Sequence, residues 1–324
     1  MPSITYSRGL WNETESGFFS LDSRLASVQQ EAGLTLPLAP RPVWMPEHPI
    51  VNATVMGLIA FQEAYVREEF LRIFRTSCSR HGKGRSGLFV DSGSNEGTWS
   101  MLAAAHGCDV VAVDPQPLCI NLLRAGARRS GFLSIELHNN VVAPLESHNG
   151  SMSVPIDQCH GTSEYNAHER KVSDVTRDGR NNLGTYKARH ATRLPVLPAS
   201  MDDLIGPTRT ISLWHVDVEG AEVPVLLSAR RLFAERRVRR VMFEFIPSRW
   251  PAQKVSFSRG LFELDALFRG WSCHVVCPSH PEHHLKRLHF TPALVHEHML
   301  IAGRTTCENA FCVDQLVQAR PDAV

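Results

Sequence analysis

A mostly parallel α/β sheet covered by helices on both faces is the architecture this chain predicts, and three observations carry that prediction. From Leu88 onward, apolar runs of strand length alternate with helix-like runs. The first apolar run ends in a glycine turn, VDSGSNEGTWS, and the second ends in an acidic residue, VVAVDP. Alternating strands and helices place successive strands parallel and bury them on both sides. Ligands of such sheets gather where the carboxyl ends of the strands meet the following helices.

Taken in order, residues 1–50 are rich in proline and end in LPLAPRPVWMPEHP. They are expected to be extended and to wrap a surface or stay partly mobile, rather than form a domain. VMGLIAFQEAYVREEFLRIFRTSC repeats Ile59, Tyr65 or Val66, Phe70 and Phe74 at helical spacing, which predicts an amphipathic helix packed on the alternating unit C-terminal to it. With the basic linker RHGKGRSG, these segments make an N-terminal extension over 1–87. The alternating unit then runs over 88–303. Its strands are LFV, DVVAV, LSIELHNN, ISLWHVD, VRRVMFEF and WSCHVV, and its helices are TWSMLAAAHG, LCINLLRAGARRSG, SMDDLIG, GAEVPVLLSARRLFAERR and SRGLFELDALFRG. Between them, the polar segment 144–195 has no long apolar period and reads as an insertion, a hairpin or lid. The last strand is expected at ALVHEHMLIAG, leaving 304–324 as a tail.

Composition narrows the partners. Lys plus Arg number 34 against 33 Asp plus Glu, a formal charge of +1, so there is no global electrostatic footprint for nucleic acid or an anionic membrane. No apolar run approaches the roughly 20 residues of a membrane span, and the first residues lack the basic and apolar regions of a secretory signal. A soluble, cytoplasmic protein is the resulting expectation. The 8 cysteines are scattered rather than arranged as a framework, and free thiols are expected. Cys273, Cys277, His280, His283, His284, Cys307 and Cys312 suggest zinc by type, but their spacings match no standard finger. Cys273, Val275 and Cys277 instead share one face of a strand as small apolar groups.

The glycine turn decides between two ligands. Gly93 allows a sharp turn or a close approach, and Gly97 opens the next helix without a side chain in the way. A dinucleotide site normally shows GxGxxG, because the pyrophosphate nestles against bare backbone. Here two glycines of that set are present, and Asp91 and Glu96 would face a diphosphate with like charge. S-adenosylmethionine carries no phosphate, and its ammonium and sulfonium suit an acidic turn, with Asp91 pairing directly or through water with the amino-acid end. Asp114, about 20 residues past the first glycine, can accept the ribose hydroxyls of either nucleoside. In LHNNVV, Asn140 could contact the base and Val141 could pack on it, although a turn is the commoner reason for such an Asn.

One further stretch, WHVDVEGAE, preceded by SMDDL and followed after a helix by MFEF, completes a set that resembles the FkbM family of S-adenosylmethionine-dependent methyltransferases. The resemblance covers roughly residues 88–300. It implies a Rossmann-like class I methyltransferase fold with a mostly parallel seven-stranded sheet, and methyl transfer to a hydroxyl of a sugar, glycolipid or natural-product acceptor. It further implies that Asp91, Gly93, Asn95 and Gly97 form the cofactor loop, within which Ser94 is a further cofactor-binding candidate, that Asp114 is the ribose carboxylate, that Asp217, Glu219, Gly220 and Glu222 form the fourth-strand motif, and that Glu244 ends the fifth strand. The family often has Ala at Ser94, an apolar residue at Glu96 and Lys at His215.

The residues themselves agree with that placement. On a strand, Leu213, His215 and Asp217 share one face, and Asp217 falls at the carboxyl end. Glu219 and Glu222 open the next helix, where its dipole stabilises carboxylates by roughly 0.3 to 1 kcal/mol. Removing the proton of a hydroxyl acceptor calls for a positioned carboxylate or imidazole, or a divalent metal that lowers the acceptor's pKa. Asp217, Glu219 and Glu244 are the catalytic candidates, with His215 behind them. Two other readings stay open: a methyltransferase-like binding or regulatory module without turnover, and an NAD-dependent oxidoreductase.

Overall fold

A computed structural model of the 324-residue chain describes residues 17–24, 39–48, 51, 64–78, 86–144, 152–155, 159, 193–276, 287–290 and 309–315. The extension begins with an antiparallel pair, β1 (Phe18–Ser20) and β2 (Trp44–Pro46). Trp44 N–H donates to Ser130 Oγ at 2.9 Å, and Val43 and Met45 are buried. The amphipathic helix is α1 (Ala64–Ser77), with Val66, Phe70, Ile73 and Phe74 buried; Ile59 lies outside the described residues.

The alternating unit comes next. It contains β3 (Leu88–Ser92), α2 (Thr98–Ala105), β4 (Asp109–Val113), α3 (Pro117–Ser130) and β5 (Ile135–His138). A short β6 (Val141–Val142) precedes β7 (Met152–Pro155), β8 (Arg193–Val196) and β9 (Pro198–Ala199). The rhythm resumes with α4 (Met201–Ile205), β10 (Ile211–Val216), α5 (Glu222–Leu227), α6 (Arg230–Ala234) and β11 (Arg240–Glu244). A 3-10 helix over Pro247–Gln253, α7 (Phe257–Leu267), β12 (Trp271–Val276) and β13 (Asn309–Asp314) complete it.

Among the described residues, seven strands make the central sheet in the order β12-β13-β11-β10-β3-β4-β5. β13 runs antiparallel to both its neighbours, and every other neighbouring pair is parallel. This is the Rossmann-like class I methyltransferase fold. Each face of the sheet carries its own core. Phe89, Leu213, Met242 and Phe311 pack toward α1, α2 and α3, while Val90, Trp214, Phe243 and Cys312 pack toward α4 to α7. Successive residues of one strand thus enter opposite cores, which is why these strands read as unbroken apolar runs.

The structure differs from the sequence expectations at two places. The last strand of the sheet is β13, inside the stretch expected to be a tail; ALVHEHMLIAG itself lies outside the described residues. NAFCVD is short and flanked by polar residues, and its strand character comes from the two strands it slots between. Within the polar segment expected as an insertion, a hairpin or lid, β7 and β8 pair antiparallel; apart from Cys159, the residues between them lie outside the described set. Cysteines expected to be free are paired as Cys78–Cys108, Cys119–Cys159 and Cys273–Cys312, and no free cysteine occurs among the described residues. Partners stand 30 to 40 residues apart, and only the tertiary fold brings them together. Cys273 and Cys312 sit in register across β12 and β13 and bond to each other, so neither can serve zinc as a thiolate. Cys277, His280, His283, His284 and Cys307 lie outside the described residues.

Candidate functional site

The carboxyl ends of β3, β4, β10 and β11 converge on one edge of the sheet, and the sequence-predicted residues gather there. The turn after β3 hangs from β4, because Gly93 N–H and Ser94 N–H both donate to the Val113 carbonyl, at 2.9 and 3.1 Å. Gly93 has φ 79°, and a Cβ added there would stand 1.7 Å from the Asp217 carbonyl oxygen. Only glycine fits, for conformation and for space alike. Gly97, φ 89°, precedes α2, and a Cβ there would strike Leu123. Asn95 adopts the same left-handed region at φ 51°, which Asn tolerates better than most residues.

Asp114 organises this turn. Its Oδ2 accepts the Asn95 N–H at 3.0 Å and its Oδ1 accepts the Gln116 N–H at 2.8 Å. Burial pushes the Asp114 carboxyl up to about 7 against those two donors, and the neighbouring charges of Asp91 and Glu96 add to the rise. Asn139, not Asn140, reaches this corner, donating from Nδ2 to the carbonyls of Asp114 and Pro115. Asn140 donates to the Leu197 carbonyl at 3.1 Å instead.

Asp91 has no exposed surface. Its Oδ2 accepts from Ser100 Oγ at 2.6 Å, and its Oδ1 lies 2.9 Å from His215 Nδ1, which donates when the imidazole is protonated there. His215 is buried and packs edge-on against Phe70, with ring centroids 5.2 Å apart. Asp91 and His215 therefore support the turn from below. The Ser94 hydroxyl is buried and has no hydrogen-bond partner among the described residues, a polar group of the kind that a ligand satisfies.

At the end of β10, Asp217 is half-buried. Desolvation raises its pKa, His215 and Arg249 oppose that rise, and Asp91 reinforces it. Glu219 and Glu244 are brought together by Arg249, whose Nη1 donates to Glu219 Oε2 and, at 3.1 Å, to Glu244 Oε2. Burial holds Glu244 well above the ordinary carboxylate value, with Asp217 and Glu222 adding to the effect and Arg249 opposing it. Glu222 is fully buried, accepts the Gly220 N–H at 2.7 Å, and is pushed by burial up to about 7. It braces its own turn, which separates it from Glu219. Among the described residues no three His, Cys, Asp or Glu side chains are grouped to hold a metal ion; a guanidinium stands between Glu219 and Glu244.

Sequence reasoning missed Arg249. Its signal was charge balance: two carboxylates converging on one edge need a cation, and Arg249 stands five residues past Glu244 on the 3-10 turn. SMDDL, part of the family resemblance, proves architectural. Ser200 Oγ accepts from Asp203 N–H to cap α4, while the Asp202 carboxylate accepts the Arg231 and Leu232 N–H groups to cap α6.

No family model and no curated protein matches the chain. Among solved structures it is similar to a human methyltransferase 10 domain containing protein, at 11% identity and a TM-score of 0.40, covering 91% of this chain and 96% of that one. It is also similar to precorrin-6y C5,15-methyltransferase from Geobacter metallireducens, at 10% identity and TM-score 0.33, over 65% of this chain and 74% of that one. The bifunctional kinase-methyltransferase WbdD matches at 14% identity and TM-score 0.32, over 68% of this chain and 35% of WbdD. Likenesses this distant carry no argument about chemistry. No helix among the described residues is long and apolar enough to cross a membrane.

Proposed function

We propose that the chain is an S-adenosylmethionine-dependent O-methyltransferase of the FkbM type, acting on a hydroxyl of a sugar, glycolipid or natural-product acceptor. The observation that carries this reading is the contact between turn and acid: Gly93 lies so close to the Asp217 carbonyl that no side chain fits between them, which sets the Asp217 carboxylate at the end of β10 beside the glycine turn. The residues also fit the cofactor. A glycine cradle and an unsatisfied Ser94 hydroxyl suit a nucleoside cofactor, and only two glycines of the GxGxxG set that a diphosphate needs are present.

When bound, S-adenosylmethionine supplies a methyl on a sulfonium, open to in-line displacement. This chain's residues then have distinct tasks. Asp114 would accept the ribose hydroxyls on its remaining lone pairs, and the turn from Gly93 to Gly97 would support the amino-acid end. Asp217 would take the proton of an acceptor hydroxyl, while Arg249 holds Glu219 and Glu244 together. Alignment in a dry site contributes most of the acceleration, and proton removal adds a factor of about 100 to 10,000. The three disulfides favour an oxidising compartment over the cytoplasmic setting expected from sequence.

Calorimetric titration with S-adenosylmethionine, its demethylated product and NAD tests the reading. Ligand at 100 times its dissociation constant should add about 2.7 kcal/mol of stability if it binds only the native state. Asp114→Asn should weaken binding of the demethylated product by about 1.5 to 3 kcal/mol, the scale for hydrogen bonds to a charged group. Binding of NAD with no response to either sulfur compound would sink the proposal.

A further inference from the structure

The proposed cofactor turn touches a covalent cross-link that the proposed chemistry does not use. Cys119, on α3, and Cys159, beyond β7, form a disulfide with a sequence separation of 40, and both are fully buried. The Asn95 side-chain amide lies against it, with Oδ1 3.1 Å from Cys159 Sγ and 3.7 Å from Cys119 Sγ. Disulfide sulfurs have no hydrogen to donate, so the amide rests on the S–S group, with either its oxygen or, after a flip, its NH2 toward sulfur.

Asn95 is also the turn's non-glycine residue at positive φ, and its N–H reaches Asp114 Oδ2. Asp114 in turn accepts from Gln116 N–H, just before α3, the helix that carries Cys119. Turn, ribose carboxylate, helix and disulfide thus close a ring. The other cross-links stand elsewhere: Cys78–Cys108 at the amino end of β4, and Cys273–Cys312 across β12 and β13.

We propose that the Cys119–Cys159 disulfide is a positioning element of the cofactor site, holding Asn95 in its left-handed conformation so that the turn and Asp114 stay ready to bind, and that cofactor affinity therefore requires this bond to be oxidised. The proposal rests on the reading of the turn as an S-adenosylmethionine site. Reduction by a dithiol converts the S–S bond to two thiols and the dithiol to a cyclic disulfide, a balanced two-electron, two-proton exchange. It leaves the backbone intact and releases Asn95.

The test is calorimetric titration of the full chain with the demethylated cofactor product. The forms compared are the oxidised wild type, Cys119→Ser/Cys159→Ser, and Cys273→Ala/Cys312→Ala, with thermal melts beside each. If the competent turn falls to about a tenth of the population, the dissociation constant rises about tenfold in the first variant. The second variant should melt lower yet bind as the wild type does, which separates positioning from general stability. Asn95→Gly keeps the left-handed backbone accessible and removes only the amide on the disulfide. It should show the same loss with both cysteines in place, and so serves even if the double serine variant fails to fold. Wild-type affinity in Asn95→Gly, or in a folded double serine variant, overturns the proposal alone. Failure of the oxidised wild type to bind at all overturns the cofactor reading and the proposal with it.

Discussion

Asp217 is where the proposed chemistry concentrates at the residue scale. Its environment raises its pKa by desolvation, so as a general base it becomes competent only as pH rises through that raised value. Asp217→Asn should depress transfer to a hydroxyl acceptor by about 100-fold to 10,000-fold and remove the rising limb of the pH–rate profile. Binding of the demethylated cofactor product should change far less. Radiolabel transfer from S-adenosylmethionine across a panel of glycans, glycolipids and polyols measures it, and equal rates for variant and wild type would show that Asp217 has been given the wrong role. Asp114 and the two glycines were legible in the sequence because the turn's geometry demands those residue types. The attachment of Asp91 to Ser100 and His215 was not, since it joins three separate elements.

At the scale of elements, α1 fixes the floor under the site. Phe70 is fully buried and meets Phe89, Trp99 and His215 through edge-on ring contacts, with centroids 5.8, 5.0 and 5.2 Å away. Phe70→Ala should cost about 3 to 5 kcal/mol, as large cavities in aromatic cores do, and should loosen the His215–Asp91 support. Urea unfolding gives the first quantity, and the affinity for the demethylated cofactor product reports the second. A loss under about 1 kcal/mol would place Phe70 at a surface rather than in the core. The period of this helix was readable, because an amphipathic stripe is a local property. Its docking onto β3 and β10 was not, and neither was β13, whose strand character depends on β11 and β12 flanking it.

For the whole molecule, the carboxylates crowded at one edge make stability depend on pH. Burial pushes Glu222 up to about 7, above the ordinary glutamate value of the unfolded chain. Between those two values the native state binds the extra proton, so this group's contribution is complete below the unfolded pKa and is lost as pH rises through 7. The lowered pKa values of His106 and His274, both set mainly by burial, act oppositely, removing stability as pH falls. Glu222→Gln isolates the carboxyl: it should resemble the wild type at pH 5 and become relatively more stable by pH 8, as read from urea midpoints. A gap that does not change with pH would mean that Glu222 is charged throughout. Peptide mapping without reductant should recover the three cross-links in protein made in an oxidising setting, and recovery of alkylated thiols at those six positions would remove them.

The sequence by itself determined the alternation of strands and helices, the glycine turn after β3 and the acids that end the strands. Those features are written in local periodicity and in residue types that tolerate few substitutes. Only the tertiary structure decided which cysteines pair, that Arg249 stands between Glu219 and Glu244, and that Asn95 lies on a disulfide. It also decided that Gly93 must be bare, because the Asp217 carbonyl occupies the space its side chain would need. Such facts depend on distances between residues far apart in the chain, and those distances exist only once loop closure and burial have brought the elements together.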